Sequence, residues 1–284
     1  MKTHKTHITL KDYSVSGEVF EILEDPCLNL LYTHPKPDDQ TLKAYYPDTG
    51  YISHTNQLKT FIDVLYHTIR YFSLKRKVRL VAPFKSKKGS LLDVGAGTGY
   101  FIRAAKKDGW DVKGIEPNST AREIANTKSH NSVFGEKMLS GFPTASFDVI
   151  TLWHVLEHLP NLEEDINTFK KILKPNGRII VAVPNFKSYD AEHFKNFWAG
   201  YDVPRHLWHF SKDSIASVFS KVKLSLESTH PMLMDSYYVS MLSNKHQTGS
   251  HNILSSLRTG FISNFKASKT GEYSSLIYVL KNKV

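Results

Sequence analysis

Two acidic residues and three glycines offer the clearest chemistry in this chain. The stretch LLDVGAGTGYF, Leu91–Phe101, places Gly95, Gly97 and Gly99 where a short apolar strand runs into a helix. Glycine there lets the main chain approach a ligand that any Cβ would hold off, and the helix behind it offers unpaired N–H groups. Asp93 lies just before the turn, where a negative charge suits an ammonium better than a pyrophosphate. Glu116 closes the next strand, and a carboxylate there can accept both hydroxyls of a ribose. The dinucleotide fingerprint G-x-G-x-x-G is not met: Tyr100 stands three residues after Gly97, and the third glycine comes early, at Gly99. A nicotinamide nucleotide is therefore the weaker candidate ligand, and a tight turn without any ligand is the bland alternative.

Histidines mark a second group. His154-Val-Leu-Glu157-His158 matches H-x-x-E-H, an inverted zinc-protease pattern. Zinc would require both histidines on one face of a long helix with a third ligand downstream. Here the string follows a buried strand and meets Pro160 two residues later, so no metal is expected. Trp153 and His154 read instead as the edge of a ligand site, since open α/β sheets bind at the C-terminal ends of their strands. In YDVPRHLWHFS, Tyr201–Ser211, a histidine with a pKa near ~6.5 suits proton removal from a hydroxyl nucleophile. His206 or His209 is expected as that base and Arg205 as a binder of an anionic group. Hydrogen bonding inside the fold is the equal alternative for the histidines.

These residues need rigid elements behind them. From Ser90 the chain alternates strand and helix: strands at Leu91–Val94, Asp111–Ile115, Phe147–Leu152, Arg178–Val183, Leu224–Thr229 and Ser274–Leu280. Helices are expected after the glycines to about Lys107, over Ser119–Thr127 with Ser119 near the N-cap, over Glu163–Leu173, and over Lys212–Lys221 capped by Ser211. Such alternation implies a mostly parallel sheet with helices on both faces. Before it, Tyr13–Glu24 and Leu28–Thr33 read as short strands, and Phe61, Ile62, Leu65, Ile69 and Phe72 give Leu58–Lys77 an amphipathic helical period. The aromatics between Phe186 and Phe210 suit either a roof over a pocket or a satellite core.

D-V-G-A-G-T-G followed by G-I-E-P resembles motif I and the acidic loop of class I S-adenosylmethionine (SAM)-dependent methyltransferases. The resemblance runs from Ser90 to about Ser220 and is strongest through Pro184. Phe147-Asp148 with VITLWHVLEHL is similar to the family's fourth strand, and LKPNGRIIVAVPN, Leu173–Asn185, to its next helix, turn and fifth strand. More narrowly, Tyr201–Ser211 resembles the D-x-P-R-H-x-x-H-F element of a broad subgroup, and Thr33–His54 its N-terminal approach segment. The resemblance implies a Rossmann-like seven-stranded sheet with a small N-terminal appendage. It divides the chain into 1–57, a reduced strand-and-turn element, and 58–284, a methyltransferase domain with insertions at 184–210 and 231–271. It assigns the cofactor SAM, with S-adenosylhomocysteine as product, to Asp93, Gly95, Ala96, Gly97, Gly99, Glu116 and Pro117. It adds Glu136 for the adenine amino group, the Lys137 N–H for the ring, and Trp153 and His154 at the edge. Subgroup members often carry a small cysteine-rich zinc element near the N-terminus; here only Cys27 remains, so none is expected. TLWH at Thr151–His154 replaces the N/D-P-P-Y motif of DNA amino-methylases.

Composition bounds the partners. At 284 residues, 40% hydrophobic and 23% charged, the chain has material for a sizeable core, which excludes disorder along its length. One cysteine and no apolar N-terminal h-region point to a soluble protein of a reducing compartment, the cytoplasm. The net charge of +10 admits an RNA acceptor as an alternative, or a SAM-binding module without transfer activity. Its densest run, Arg70 to Lys88, precedes the first sheet strand and reads as a solvated face. A small-molecule acceptor with an oxygen nucleophile is the leading expectation.

Overall fold

A computed structural model of the chain describes residues 5–46, 72–84, 89–250 and 252–283. The amphipathic period over Leu58–Lys77 falls mostly outside these residues, as does the boundary expected at 57/58; residues 72–81 are helical.

The main sheet has seven strands in the order β10-β11-β8-β7-β4-β5-β6. They are β4 (Ser90–Val94), β5 (Asp111–Ile115), β6 (Val133–Phe134), β7 (Phe147–Trp153), β8 (Leu173–Pro184), β10 (Leu224–Pro231) and β11 (Ser275–Asn282). β4 pairs in parallel with both β5 and β7, and β5 with β6, so the fold is α/β with a mostly parallel sheet, as expected. Burial on both faces explains the unbroken apolar runs: Leu91, Leu92, Val149, Ile150, Leu152 and Ile179–Val183 are all buried. Each of the Leu, Ile and Val side chains contributes about 2 kcal/mol by leaving water. One element ends differently from the reading of its sequence. The turn residues Pro175-Asn-Gly177 lie within the span of β8, which begins at Leu173 directly after the helix Leu162–Ile172.

By compactness the chain divides into two units. One comprises residues 48–153, 163–180 and 279–284 and contains β4, β5, β6 and β7. The helix Tyr100–Lys107 buries Phe101, Ile102 and Ala105 in it. The helix Ser119–Ser129 is capped one residue earlier than expected: Asn118, not Ser119, is the N-cap and accepts from the Ala121 N–H at 2.9 Å.

The other unit comprises residues 1–47, 154–162 and 181–278. It holds an antiparallel sheet of β1 (Thr6–Lys11), β2 (Val19–Asp25), β3 (Leu30–His34) and β9 (Trp208–His209), in that order. β1 was absent from the sequence reading, and Tyr13–Ser16 is a turn rather than strand. Asp12 makes that turn by accepting the N–H groups of Ser14, Val15 and Ser16 at 2.8–3.2 Å. Phe194, Trp198 and Tyr201 from the 184–210 insertion pack with Leu10, Phe20 and Ile22, so these rings form a satellite core. Trp198 donates its Nε1–H to buried Asp190 at 2.8 Å, which also accepts from Ser263 and Ser274.

Candidate functional site

Within the first unit, β4 delivers Asp93 and then the glycine turn. Gly95, Gly97 and Gly99 all take positive φ, at 73°, 52° and 77°, the region where a side chain is strained. They are not equivalent. A Cβ on Gly97 would meet no described residue within 4 Å, whereas one on Gly99 would lie 2.9 Å from the Ala125 Cα and Cβ. Gly97 thus faces space that no described residue fills, and Gly99 lets the helices Tyr100–Lys107 and Ser119–Ser129 approach. Gly95 and Ala96 donate their N–H groups to the Ile115 carbonyl at 2.8 and 2.9 Å, tying the turn to β5.

Glu116 is 3% exposed and bound by main chain on both oxygens. Oε2 accepts the Gly97 N–H at 2.8 Å and Oε1 accepts the Asn118 N–H at 2.9 Å. Each carboxylate oxygen has a further lone pair, so the group can still receive two hydroxyls. Burial pushes its pKa up, while those N–H groups and Arg122 work against the rise. Arg122 also donates to the carbonyls of Glu116 and Pro117, fixing the strand end.

Asp93 is 2% exposed and accepts the Thr151 hydroxyl from neighbouring β7 at 2.7 Å. Burial pushes its pKa up to about 7; Thr151 and Lys77 oppose the rise and the Glu116 charge adds to it. A buried carboxyl of this kind gains most from a cation placed beside it. Trp153, at the end of β7, meets Phe101 edge-to-face at 5.3 Å with the Lys77 ammonium 4.5 Å over its ring. Glu136 and Lys137 are exposed and open the short 3-10 helix Glu136–Gly141 after β6.

His154, Arg205, His206 and His209 belong to the second unit. His154 has φ of 58° and sits between Asp235, 3.1 Å from Nε2, and Glu157, 3.5 Å from Nδ1. Burial alone lowers its pKa, but the two carboxylates outweigh it and push it up to about 9. Arg205 is engaged by protein acids: its Nε donates to Asp202 Oδ2 at 2.9 Å, and Nη2 pairs with Asp202 Oδ1 and, at 3.3 Å, with Asp12. His206 Nδ1 lies 2.9 Å from the Gly200 carbonyl. His209 Nε2 lies 3.0 Å from the Thr33 hydroxyl on β3, and burial drives the pKa of this histidine well below its ordinary value.

The structure therefore brings Asp93, Gly95, Ala96, Gly97, Glu116 and Pro117 to one turn and places the histidine segment in another compact unit. Reading the sequence missed Thr151, which carries no signal of its own until β4 and β7 pair. It also missed Asp202, whose i, i+3 spacing to Arg205 was a visible cue, and Asp12, which only the antiparallel sheet brings near.

Residues 66–229 match the family described as "Methyltransferase domain". The chain is similar to the ubiquinone biosynthesis O-methyltransferase of Paraburkholderia phymatum, at 31% identity over 109 residues, 35% of this chain and 47% of that protein. It is also similar to the demethylmenaquinone methyltransferase of Tropheryma whipplei, at 28% identity over 130 residues, 44% of this chain and 54% of that protein. The chain thus spans about half the length of these curated relatives. Among solved structures, the magnesium protoporphyrin IX methyltransferase of Synechocystis PCC 6803 superposes with a TM-score of 0.58 at 12% identity, over 87% of this chain and 100% of that one. That likeness shows a shared fold. Among the described residues no helix is long and apolar enough to cross a membrane.

Proposed function

The chain belongs to the methyltransferase-domain family, and from that premise we propose that it transfers a methyl group from SAM to an oxygen of a small-molecule acceptor. The observation that carries this reading is Glu116, held by the Gly97 and Asn118 N–H groups with a lone pair left on each oxygen for a ribose diol. The residues present fit the cofactor. Gly97 opens onto space that no described residue fills, and Asp93 is a buried carboxyl that a neighbouring cation would stabilise.

In this reading Gly95, Ala96, Gly97 and Gly99 carry the main chain around the methionine portion, with Asp93 beneath its charged end. Glu116 and Pro117 border the ribose, Glu136 and the Lys137 N–H meet the adenine, and Trp153 forms the rim. When bound, the cofactor supplies an electrophilic methyl on a sulfonium, and transfer needs alignment more than elaborate acid–base chemistry. Removal of a hydroxyl proton falls to His206, whose Nδ1–H points at the Gly200 carbonyl and leaves Nε2 as acceptor. Arg205 and His209 brace the segment through Asp202, Asp12 and Thr33. The names of the curated relatives support small molecules as the acceptor class.

Calorimetry with SAM and with NAD, followed by transfer of label from radioactive SAM to a panel of hydroxylated small molecules, tests this. SAM binding and labelled product are expected. Binding of NAD with none of SAM would overturn the cofactor assignment, and binding of SAM with no transfer to any acceptor would leave only a binding module.

A further inference from the structure

We propose that Glu157, His158 and His206 form a binding site for one divalent transition-metal cation of the zinc or cobalt type. One ligand atom from each of the three lies within 4.8 Å of the others. Glu157 is 1% exposed, and among the described residues neither of its carboxylate oxygens has a hydrogen bond. His154 Nδ1 is 3.5 Å from Oε1, at ion-pair range but without hydrogen-bond geometry. A buried carboxylate in that condition is costly, and a cation is the partner that relieves it.

The histidines are oriented for the same task. His158 Nδ1 is 2.9 Å from the Arg205 carbonyl and His206 Nδ1 is 2.9 Å from the Gly200 carbonyl. A carbonyl only accepts, so each proton sits on Nδ1 and each Nε2 keeps its lone pair. The Tyr46 hydroxyl, 2.9 Å from His158 Nδ1, is placed to share that proton. A ring N–H tied to main-chain carbonyl is the usual outer support of a metal-ligating histidine. Charge agrees: the ion-paired carboxylates Asp12, Glu157, Asp202 and Asp235 exceed the cations Arg205 and His154 by two. Two imidazoles and one carboxylate suit zinc or cobalt, whereas magnesium and calcium prefer oxygen throughout. Three protein ligands leave a position for water or an acceptor oxygen, which a metal makes more acidic. His206 serves either as ligand or as free base, so a bound cation takes over that part of the proposed function. The pair that H-x-x-E-H suggested, His154 with His158, is not the one assembled, because His154 turns to Asp235.

The test is titration of the chelator-stripped full chain with Co²⁺. One equivalent is expected to bind, with the visible absorption of four- or five-coordinate cobalt, and Zn²⁺ should displace it. His158→Gln and His206→Gln should each weaken binding by about 100-fold, while exposed His193→Gln should not. Absence of stoichiometric uptake, or uptake unchanged in both variants, overturns the site. Should the variants not fold, X-ray absorption of the wild-type complex decides: two imidazoles in the first shell support the site, and a shell without them refutes it.

A second, independent observation concerns the helices Asp235–Thr248 and Ile253–Thr270. Their packed faces are small and polar: Ser240, Ser243, Ser256, Gly260 and Ser263 are buried, and Asn244 donates to Ser256 at 2.9 Å. A Cβ on Gly260 would lie 2.6 Å from the Tyr237 ring, so the helices approach closely. The outer face is the apolar one. Leu254, Leu257, Phe261 and Phe265, at three- and four-residue spacing, are 50–81% exposed. Arg258, Lys266 and Lys269 are also exposed, and Ile253–Thr270 contains no acid. We infer that this face rests on an anionic lipid bilayer, with the apolar stripe at the acyl boundary and the cations at lipid phosphates. Co-flotation with phosphatidylcholine–phosphatidylglycerol vesicles tests it. Binding is expected, about tenfold weaker to phosphatidylcholine alone, and similarly weakened by Leu254→Ser with Phe261→Ser, changes at exposed positions that the fold tolerates. No binding to anionic vesicles overturns the inference, as does a sedimentation-detected dimer that the same substitutions dissociate.

Discussion

Glu116 and Glu157 are both buried, at 3% and 1% exposure, yet their surroundings differ in kind. Glu116 is satisfied by main-chain N–H groups of its own and the glycine turn, so its carboxylate is in place whether or not a ligand is bound. The Glu157 carboxylate has no hydrogen bond among the described residues and is surrounded by His154, His158 and His206. Burial works to raise its pKa, but the histidines outweigh that and hold it below the ordinary value. A preorganised acid can be identified from the loop that holds it. An unsatisfied one points to a partner still to come.

The largest expected effect breaks the first side of this contrast. Glu116→Ala removes two charge-assisted hydrogen bonds to the proposed ribose and should weaken SAM binding by about 3 kcal/mol, roughly 150-fold, by calorimetry. Affinity within about threefold of wild type would mean that Glu116 only braces the turn. Gly99→Ala should cost about 2 kcal/mol of stability in a denaturant titration, because a side chain there adopts φ of 77° and meets Ala125 at 2.9 Å. A neutral result would show that the two helices give way easily.

Asp93 sharpens the comparison through pH. Its pKa is raised from 3.8 to about 7 in the folded protein. The stability it contributes is therefore complete below the unfolded value and declines as pH rises through about 7. A bound cation favours the charged form, so SAM affinity should run the other way, falling by up to about tenfold per pH unit below 7. Asp93→Asn should flatten both profiles. An affinity profile in the variant as steep as in wild type would assign the titration to another group.

The smallest effect tests Glu157. In chelator-treated protein, Glu157→Gln should change stability by less than about 1 kcal/mol, since it removes a carboxylate that has no hydrogen bond to lose. With Zn²⁺ added, wild type should unfold at higher denaturant than the variant. A large loss without metal would indicate that His154 alone satisfies this acid.

Much of the first unit was legible in the chain. Buried parallel strands produce unbroken apolar runs, and glycines mark a turn whose φ values exclude side chains, so β4, β5 and the Asp93–Glu116 pair follow from local pattern. The second unit was less so. β1 alternates weakly, the Tyr13–Ser16 turn rests on the Asp12 side chain, and Asp12, one of the two acids that hold Arg205, stands 193 residues before it in the chain. The helices after β10 were opaque for a different reason. Their large apolar residues face outward and their serines inward, the reverse of the pattern from which a core is read.

By itself, then, the sequence determined the α/β sheet and the glycine turn with its two acids, because strand burial and backbone conformation act over a few neighbouring residues. Only the tertiary structure decided which of the histidines and acids meet. The turn after β7 and the β9 segment juxtapose Glu157 and His158 with His206 while His154 goes to Asp235, and contacts between residues so far apart leave no period in the chain.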